Sequence, residues 1–484
     1  MRTARRAACA GYAFFFMLVA QGVGCRSGTS APSWQSSPVP TQDEVAAEEF
    51  PSVHLPALSD SAVLGESNEG FAQPSIQSVV FSQPVAEEVP LPAPDRTNAA
   101  LEVEPLVAQV LSLNPDIRSA SAAWRAAAER YPQEISLDDP MFGYMLGPGS
   151  WGSDEVDSAY TLEASQKIPW PGKRRLRGDI ARAEANAAYF DVGEQRLRIA
   201  EATRLAYYDY FLAHRQLAVL EESTKLLGGF REIALRKFEA AEAEQQDVLL
   251  ADVELAQIER RRLELVRTER VARARINTLL FAAPDAPLSS PPTDLEMGGT
   301  LPPSEELVAL SLSQRPELAA QMARIRRERY SAALAQKEFY PDMEFVARYD
   351  AFWQEEPLRP MVGMNINVPV YKQKRRAAVR EANARGAQQQ ATLESQVVKT
   401  SFEVEQAYQR VQESAEALEI YKQRILPTAR HSVEAAQASY TSGRLDFLRL
   451  VESQRQLLAL EEGYYAAVAE YHQRLAELER QVGI

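Results

Sequence analysis

Side chains able to do chemistry are few in this chain. Its 484 residues hold four histidines, His54, His214, His431 and His472, and two cysteines, Cys9 and Cys25. The scatter of the histidines argues against a multi-histidine metal centre. Two cysteines near the N-terminus leave no disulfide framework or cysteine zinc site for the body. The acidic pair Asp138-Asp139 has the residue type for carboxylate catalysis, but no histidine or nucleophile motif accompanies it. The loop Gly147-Pro148-Gly149-Ser150-Trp151-Gly152 fits neither a dinucleotide fingerprint nor a nucleophile elbow. The sequence therefore predicts no enzyme, no cofactor and no metal site. A net charge of −14 also speaks against nucleic acid as a partner.

The one residue with a predicted covalent fate is Cys25. Residues 1–25 read as an export signal: Arg2, Arg5 and Arg6 form the basic start and Ala13 to Ala20 the apolar centre. That centre is too short to span a bilayer as a helix. Gly22-Val23-Gly24-Cys25 resembles a lipoprotein cleavage site, with Gly22 where leucine is usual. Either Cys25 is the lipidated first residue of the mature chain, or an ordinary secretory signal is cut nearby and Cys25 is a free thiol. Arg26 stands where aspartate would resemble inner-membrane retention, so the outer membrane is the expected destination. Residues 26–98, rich in Pro, Ser, Ala and Glu, cannot bury enough apolar surface to offset ordering entropy and read as a disordered tether.

The rest of the chain is organised by repetition. Leu450, Leu457, Tyr464, Tyr471 and Leu478 lie one heptad apart, and Val397, Val404, Val411, Leu418 and Ile425 form a matching incoming seam. Gly443 separates the two, so Tyr440 to Asp446 is predicted to be the tight tip of a long antiparallel helical hairpin. About 200 residues earlier the pattern recurs, with Leu205, Leu212, Val219, Leu226 and Ile233 incoming, Ile258, Leu265, Ala272 and Leu279 outgoing, and a tip at Phe238 to Asp247. Asn114-Pro115 answers Arg315-Pro316, Ile168-Pro169 answers Val368-Pro369, and Lys173-Arg174-Arg175 answers Lys374-Arg375-Arg376. Ordered landmarks of this kind mark an internal duplication, with one repeat over 99–290 and a second over 291–484. Helices over 173–238 and 373–438 would each approach ~100 Å at about 1.5 Å per residue, with Pro427 and Gly228-Gly229 as the expected kink points.

Between the helices lie alternating segments. Residues 140–146, 158–170, 343–353 and 362–368 are predicted strands, and Val362, Met364 and Ile366 alternate with Gly363, Asn365 and Asn367. Runs of about 9–12 residues, apolar on one face and small or polar on the other, suit a tilted strand crossing a bilayer. The same period would serve a half-buried soluble hairpin. Four strands cannot close a barrel, and open edges are not tolerated in hydrocarbon. Three copies would supply twelve strands, and an equal number of helical strands for a second, helical barrel.

These residues resemble the TolC-like outer-membrane efflux channel family over residues 100–484. The carriers are Asn114-Pro115, Ile168-Pro169-Trp170-Pro171-Gly172-Lys173-Arg174, Arg315-Pro316-Glu317-Leu318, Phe339-Tyr340-Pro341-Asp342, Val368-Pro369-Val370-Tyr371, Tyr440 to Leu450 and Leu475 to Gly483. The lipid-anchored members that serve drug and heavy-metal pumps look closest. The resemblance implies a mainly α chain with a small transmembrane β part, assembled as a homotrimer with a 12-stranded β-barrel in the outer membrane and a periplasmic α-barrel. It implies a passive conduit, docked through a periplasmic adaptor to an inner-membrane pump. Carried over by position, Phe238, Gln245 and Asp247 at one tip, with Tyr440, Gly443, Arg444 and Asp446 at the other, would form the gate and meet the adaptor. Ala240-Ala241-Glu242 departs from the pattern, standing where a glycine is common. A different reading of the same residues is a lipid-anchored coiled-coil envelope spacer without a pore.

Overall fold

The computed structural model describes residues 100–484 except 153, 155, 156, 300 and 354. The leader, Cys25 and the tether all lie outside the described residues. The body is mainly helical and built twice. In the first half, α1 (Val103–Leu113), α2 (Pro115–Ala128) and α3 (Arg130–Ile135) lead to β1 (Met141–Leu146) and β2 (Tyr160–Ile168), then α4 (Lys173–Glu239) and α5 (Gln245–Leu279). In the second, α6 (Ser304–Gln314) and α7 (Pro316–Lys337) lead to β3 (Met343–Asp350) and β4 (Pro360–Ile366), then α8 (Lys372–Ile420), α9 (Leu426–Thr441) and α10 (Phe447–Val482).

The helix starts follow local chemistry. Pro115 opens α2 because its missing N–H is an orphan there anyway, and the Asn114 side chain accepts from the Asp116 N–H at 2.9 Å. The α4 helix runs unbroken for 67 residues, through Gly228 and Gly229. α8 and α9 are joined by five residues of π-helix, Tyr421–Ile425, directly before Pro427.

That π turn changes the expected seam. Val404, Val411 and Leu418 are buried at heptad spacing, but the next buried positions are Leu426, Val433 and Tyr440, one residue later than Ile425 predicts. A single added residue in the turn moves the whole stripe. In α4 the fully covered column is Ala206, Ala213, Leu220, Leu227 and Ala234. Of the predicted column, Leu205, Leu212, Leu226 and Ile233 lie beside it and are only half-buried. Small residues hold the tightest positions because α4 meets several helices at once, among them α5, α7 and α10.

The four strands form one antiparallel sheet in the order β1-β2-β3-β4. Phe142 faces Ala164, Leu162 faces Tyr349, and Phe345 faces Met364. β1, β2 and β3, with 6, 9 and 8 residues, fall inside the longer runs predicted over 140–146, 158–170 and 343–353, while β4, with 7, is displaced two residues toward the N-terminus of its predicted run. β3 ends at Asp350 because its carboxylate accepts the Phe352 N–H at 3.1 Å and turns the chain.

The duplication extends to the caps. At the first tip Ala240, Ala241 and Glu242 donate their N–H groups to Arg236, Phe238 and Lys237; at the second, Ser442, Gly443 and Arg444 donate to Ala438, Tyr440 and Ser439. Gly443 takes φ +72°, and Ala241, the residue standing in its place, takes φ +57°. The turn is therefore kept although the glycine is not, at the steric cost of a left-handed alanine. Ala241→Gly should raise the unfolding free energy by about 0.5–1 kcal/mol, and the denaturation midpoint with it, once the added freedom of the unfolded chain is offset against the relieved strain; an unchanged or lower midpoint would show that Ala241 sits there without strain.

Candidate functional site

Two clusters join the repeats, one at each end of α4. At the tip end, Tyr440 from α9 is buried and its hydroxyl donates to Asp247 Oδ2 at 3.1 Å, across 193 residues of sequence. The Lys237 ammonium donates to the Tyr440 carbonyl at 2.7 Å and lies 4.9 Å from the ring centroid. Phe447 covers the other side, its ring 5.1 Å away. These groups cap an apolar core that includes Leu227, Phe230, Val248 and Leu450.

Burial pushes the Asp247 carboxyl above the ordinary aspartate range; the Tyr440 hydroxyl pulls it back, while the charges of Glu244 and Asp446 raise it. Burial, then the Asp247 charge, raises the Tyr440 phenol. Of the tip residues expected from sequence, Tyr440 and Asp247 are thus in contact and Asp446 acts on them by charge. Phe238, Gln245, Gly443 and Arg444 are exposed on the outside of the two turns. Lys237 and Phe447 were not expected there. Their signal was their place, one next to Phe238 and one opening α10.

Above the tips, charged pairs tie α5 to α10. Glu254 is buried and receives the Arg455 guanidinium, with Nε at 2.7 Å from Oε2. Arg261 reaches Glu462 at 3.3 Å.

At the sheet end, Lys173 opens α4 with its side chain fully buried. Its ammonium donates to Asp342 Oδ1 at 2.9 Å, the Tyr340 carbonyl at 3.1 Å and Glu338 Oε2 at 3.3 Å. Asp342 also accepts the Trp170 N–H at 2.9 Å, and the Trp170 and Tyr340 rings stack at 5.2 Å. Partial burial alone would raise the Asp342 carboxyl, but the Trp170 N–H and Lys173 hold it below the usual range. Three donor–acceptor contacts satisfy the ammonium fully, so this knot fixes the angle at which sheet meets helix. Alongside it, α3 lies flush on α4: a Cβ on Gly178 would come within 2.5 Å of Ile135.

The sheet has two unlike faces. One carries Phe142, Tyr144, Leu162, Phe345, Val362, Met364 and Ile366, all exposed. The other pairs Glu163 with Arg348, Ser165 with Glu344 at 2.9 Å, and Asn365 with Glu344 at 3.2 Å. Exposed aromatics mark both ends, Trp151, Phe352 and Trp353 at the loops and Tyr340 and Tyr371 at the helices. Among the described residues no helix is long and apolar enough to cross a membrane, and no cluster of three or more potential metal ligands occurs. His472, stacked on Tyr208 with its ring centroid 5.0 Å away, is held neutral by burial, its pKa lowered to about 4.

A long-helix body with a small antiparallel sheet of this kind is the architecture of the outer-membrane efflux channels. Residues 307–483 match the outer membrane efflux protein family model. Solved structures extend the likeness to the fold of the whole body. The outer-membrane channel OprN is 21% identical, with a TM-score of 0.64 over 79% of this chain and 89% of that one. VceC, an outer membrane protein of Vibrio cholerae, is 18% identical, with a TM-score of 0.67 over 79% and 96%. The CmeC outer membrane channel of Campylobacter jejuni is 13% identical, with a TM-score of 0.65 over 79% and 85%. No curated protein sequence matches significantly. The TolC-like resemblance carried by the sequence motifs is thus present in the family match and in the fold.

Lys173→Met should cost about 3 kcal/mol in thermal or denaturant unfolding, since it leaves Asp342 half-desolvated without its cation. The pH dependence should differ between the two clusters. Asp342, with its lowered folded value, adds stability that is present above the ordinary aspartate range and lost as pH falls through and below it. Asp247, with its raised value, does the reverse: its contribution grows as pH drops from neutral toward 4. Asp342→Asn should therefore flatten the acid limb of the stability profile, and Asp247→Asn should not.

Proposed function

We propose that the protein is a passive conduit through the outer membrane, the channel component of a tripartite efflux or export system. The sheet carries this reading. Its exposed apolar face suits lipid, its charged and amide face suits a wet lumen, and aromatics stand where membrane interfaces would lie. Both sheet edges are open, so three copies close twelve strands, and the long helices continue the bore into the periplasm. No bond is made or broken in such a conduit, and cargo is moved by an inner-membrane pump acting through a periplasmic adaptor. Cys25, lipidated with palmitate-type chains, would add an anchor in the outer membrane.

Opening is a parting of the tips. The Tyr440–Asp247 hydrogen bond and the Lys237 contact hold one hairpin to the other. An adaptor that binds the exposed Phe238, Gln245, Gly443 and Arg444 would bias the hairpins toward a second arrangement. Planar bilayers separate this reading from the spacer: the purified protein should give unitary conductance steps, and a spacer would give none. Tyr440→Phe and Asp247→Ala should each increase the open fraction several-fold, as expected when about 1 kcal/mol of closed-state bonding is removed.

Proline is tolerated at Leu448, only the second residue of α10, because a first-turn N–H has no intrahelical partner to lose. Ser453→Pro, a full turn deeper in α10, should abolish export while leaving trimers intact; loss of trimers would show that assembly and gating are not divided between the two ends.

A further inference from the structure

The chain contains its own template for a contact it cannot make alone. Arg174 donates to the Ile135 carbonyl at 3.2 Å, and Arg375 donates to the Glu338 carbonyl at 2.6 Å. This repeated bond equates Arg174 with Arg375 and Ile135 with Glu338. Counting on from each, Lys173 corresponds to Lys374, Tyr340 to Leu137, and Asp342 to Asp139. β2 and β4 keep a different offset from the helices that follow them: Ile168-Pro169 answers Val368-Pro369, and one residue is gained between there and Lys374. On the strand offset, the observed pair Met141 with Ser165 maps onto the observed pair Glu344 with Asn365.

Lys173, on entering α4, is buried against Asp342 of the other repeat. Lys374, its counterpart in α8, is exposed. Asp139 is exposed too, as are Tyr371 in the place of Trp170 and Leu137 in the place of Tyr340. No hydrogen bond or ion pair engages the side chains of Lys374 or Asp139 among the described residues. Every residue of β1 is exposed, and all but one of β4.

We propose that a second copy of this chain supplies what is missing: Lys374 of one copy binds Asp139 of the next, repeating the Lys173–Asp342 knot, and β4 pairs antiparallel with the neighbour's β1. The observed β2–β3 register then dictates the new one: Val362 opposite Leu146, Met364 opposite Tyr144, and Ile366 opposite Phe142. This pairing puts apolar residues beside apolar residues on the same face as the existing sheet. A slip by one residue would put Met364 against Met145 or Gly143 and break the face. The interfacial knot is lighter than the internal one, because Ile135 replaces Glu338 and leaves the second carboxylate out. The inference rests on the multi-copy barrel proposed above and adds its register and its polar lock.

The test uses the full chain, purified in detergent. A Met364→Cys, Tyr144→Cys double variant should form disulfide-linked oligomers on mild oxidation, about tenfold more than Met364→Cys paired with Leu146→Cys or Phe142→Cys, whose β carbons lie diagonally. Single-cysteine variants set the background from Cys9 and Cys25. Lys374→Asp and Asp139→Lys should each lower the salt concentration at which the oligomer dissociates, the double swap should restore it, and Lys372→Asp should leave it unchanged. If the parent chain is a trimer but links at another register, or if the double swap does not rescue, the lock and register are wrong while the conduit reading survives. If the parent chain is a monomer in native mass measurements, both fail.

Discussion

In the proposed membrane setting, an open β-edge in hydrocarbon is the constraint on which this architecture turns. Each unpaired N–H or C=O there lacks any partner and costs several kcal/mol, and β1 and β4 each present a row of them. The sheet faces cannot be turned inward to hide from lipid either, because the aromatic rings and most of the large apolar side chains share one face and the ion pairs the other. In the proposed barrel, pairing each edge with another copy satisfies the backbone without altering a side chain. A duplicated chain suits this solution, because the interface between copies can reuse the packing found between repeats. The helices inherit the same arrangement. The α4 helix is lined on several sides within the chain, whereas α8 presents an exposed surface over much of residues 372–398.

The two ends of α4 are built to different strengths. At the sheet, a buried ammonium meets three acceptors and a stacked aromatic pair, and breaking any contact leaves charge in a poor solvent. At the tips, one phenol–carboxylate hydrogen bond and a lysine over a ring join the hairpins, and most neighbouring polar groups are exposed. Elements that must move are drawn from the less stable parts of a structure, and the tips meet that description. The π turn before Pro427 lies between these ends, where the α8–α9 stripe shifts by one residue. Local departures of this kind are frequent where helices carry function.

Much of this was legible in the sequence, because period and duplication are strong signals. The α10 seam is buried at Leu450, Leu457, Tyr471 and Leu478 and half-buried at Tyr464, the α5 seam is buried at Leu265 and Ala272 and half-buried at Ile258 and Leu279, and both tips fall at Gly443 and Ala240-Ala241. The strands were found by alternation, with β1, β2 and β3 overextended and β4 displaced by two residues, since alternation says nothing of the Asp350 side chain that ends β3. The α4 column was read one residue off. Leu205, Leu212 and Ile233 are the larger apolar residues, yet the alanines next to them, Ala206, Ala213 and Ala234, are the ones fully covered, because neighbours approach from several directions. The shift at Tyr421–Ile425 was hidden for a different reason: a π turn adds one residue to a stripe without changing composition. The Tyr440–Asp247 pairing needed coordinates, as 193 residues separate its partners.

Divergence between the repeats carries information of its own. Where both halves face the same local demand, the backbone is preserved even when the residue is not. Ala241 copies the left-handed Gly443, and Phe281 (φ +58°) copies Gly483 (φ +95°) with the same pattern of closing hydrogen bonds. The residue equivalent to Lys173 keeps its lysine although it has no side-chain partner among the described residues. An exposed lysine needs no explanation by itself. The matched Asp139, the matched arginine bonds and the matching strand registers do, because together they describe half of a structure that is complete elsewhere in the same molecule. A trimer assembled on this plan would alternate six near-equivalent junctions around one axis, three sealed by folding and three by assembly. The junctions sealed by assembly lack the Glu338 carboxylate, so a shared architecture would come apart first along its subunit boundaries, leaving each folded chain intact.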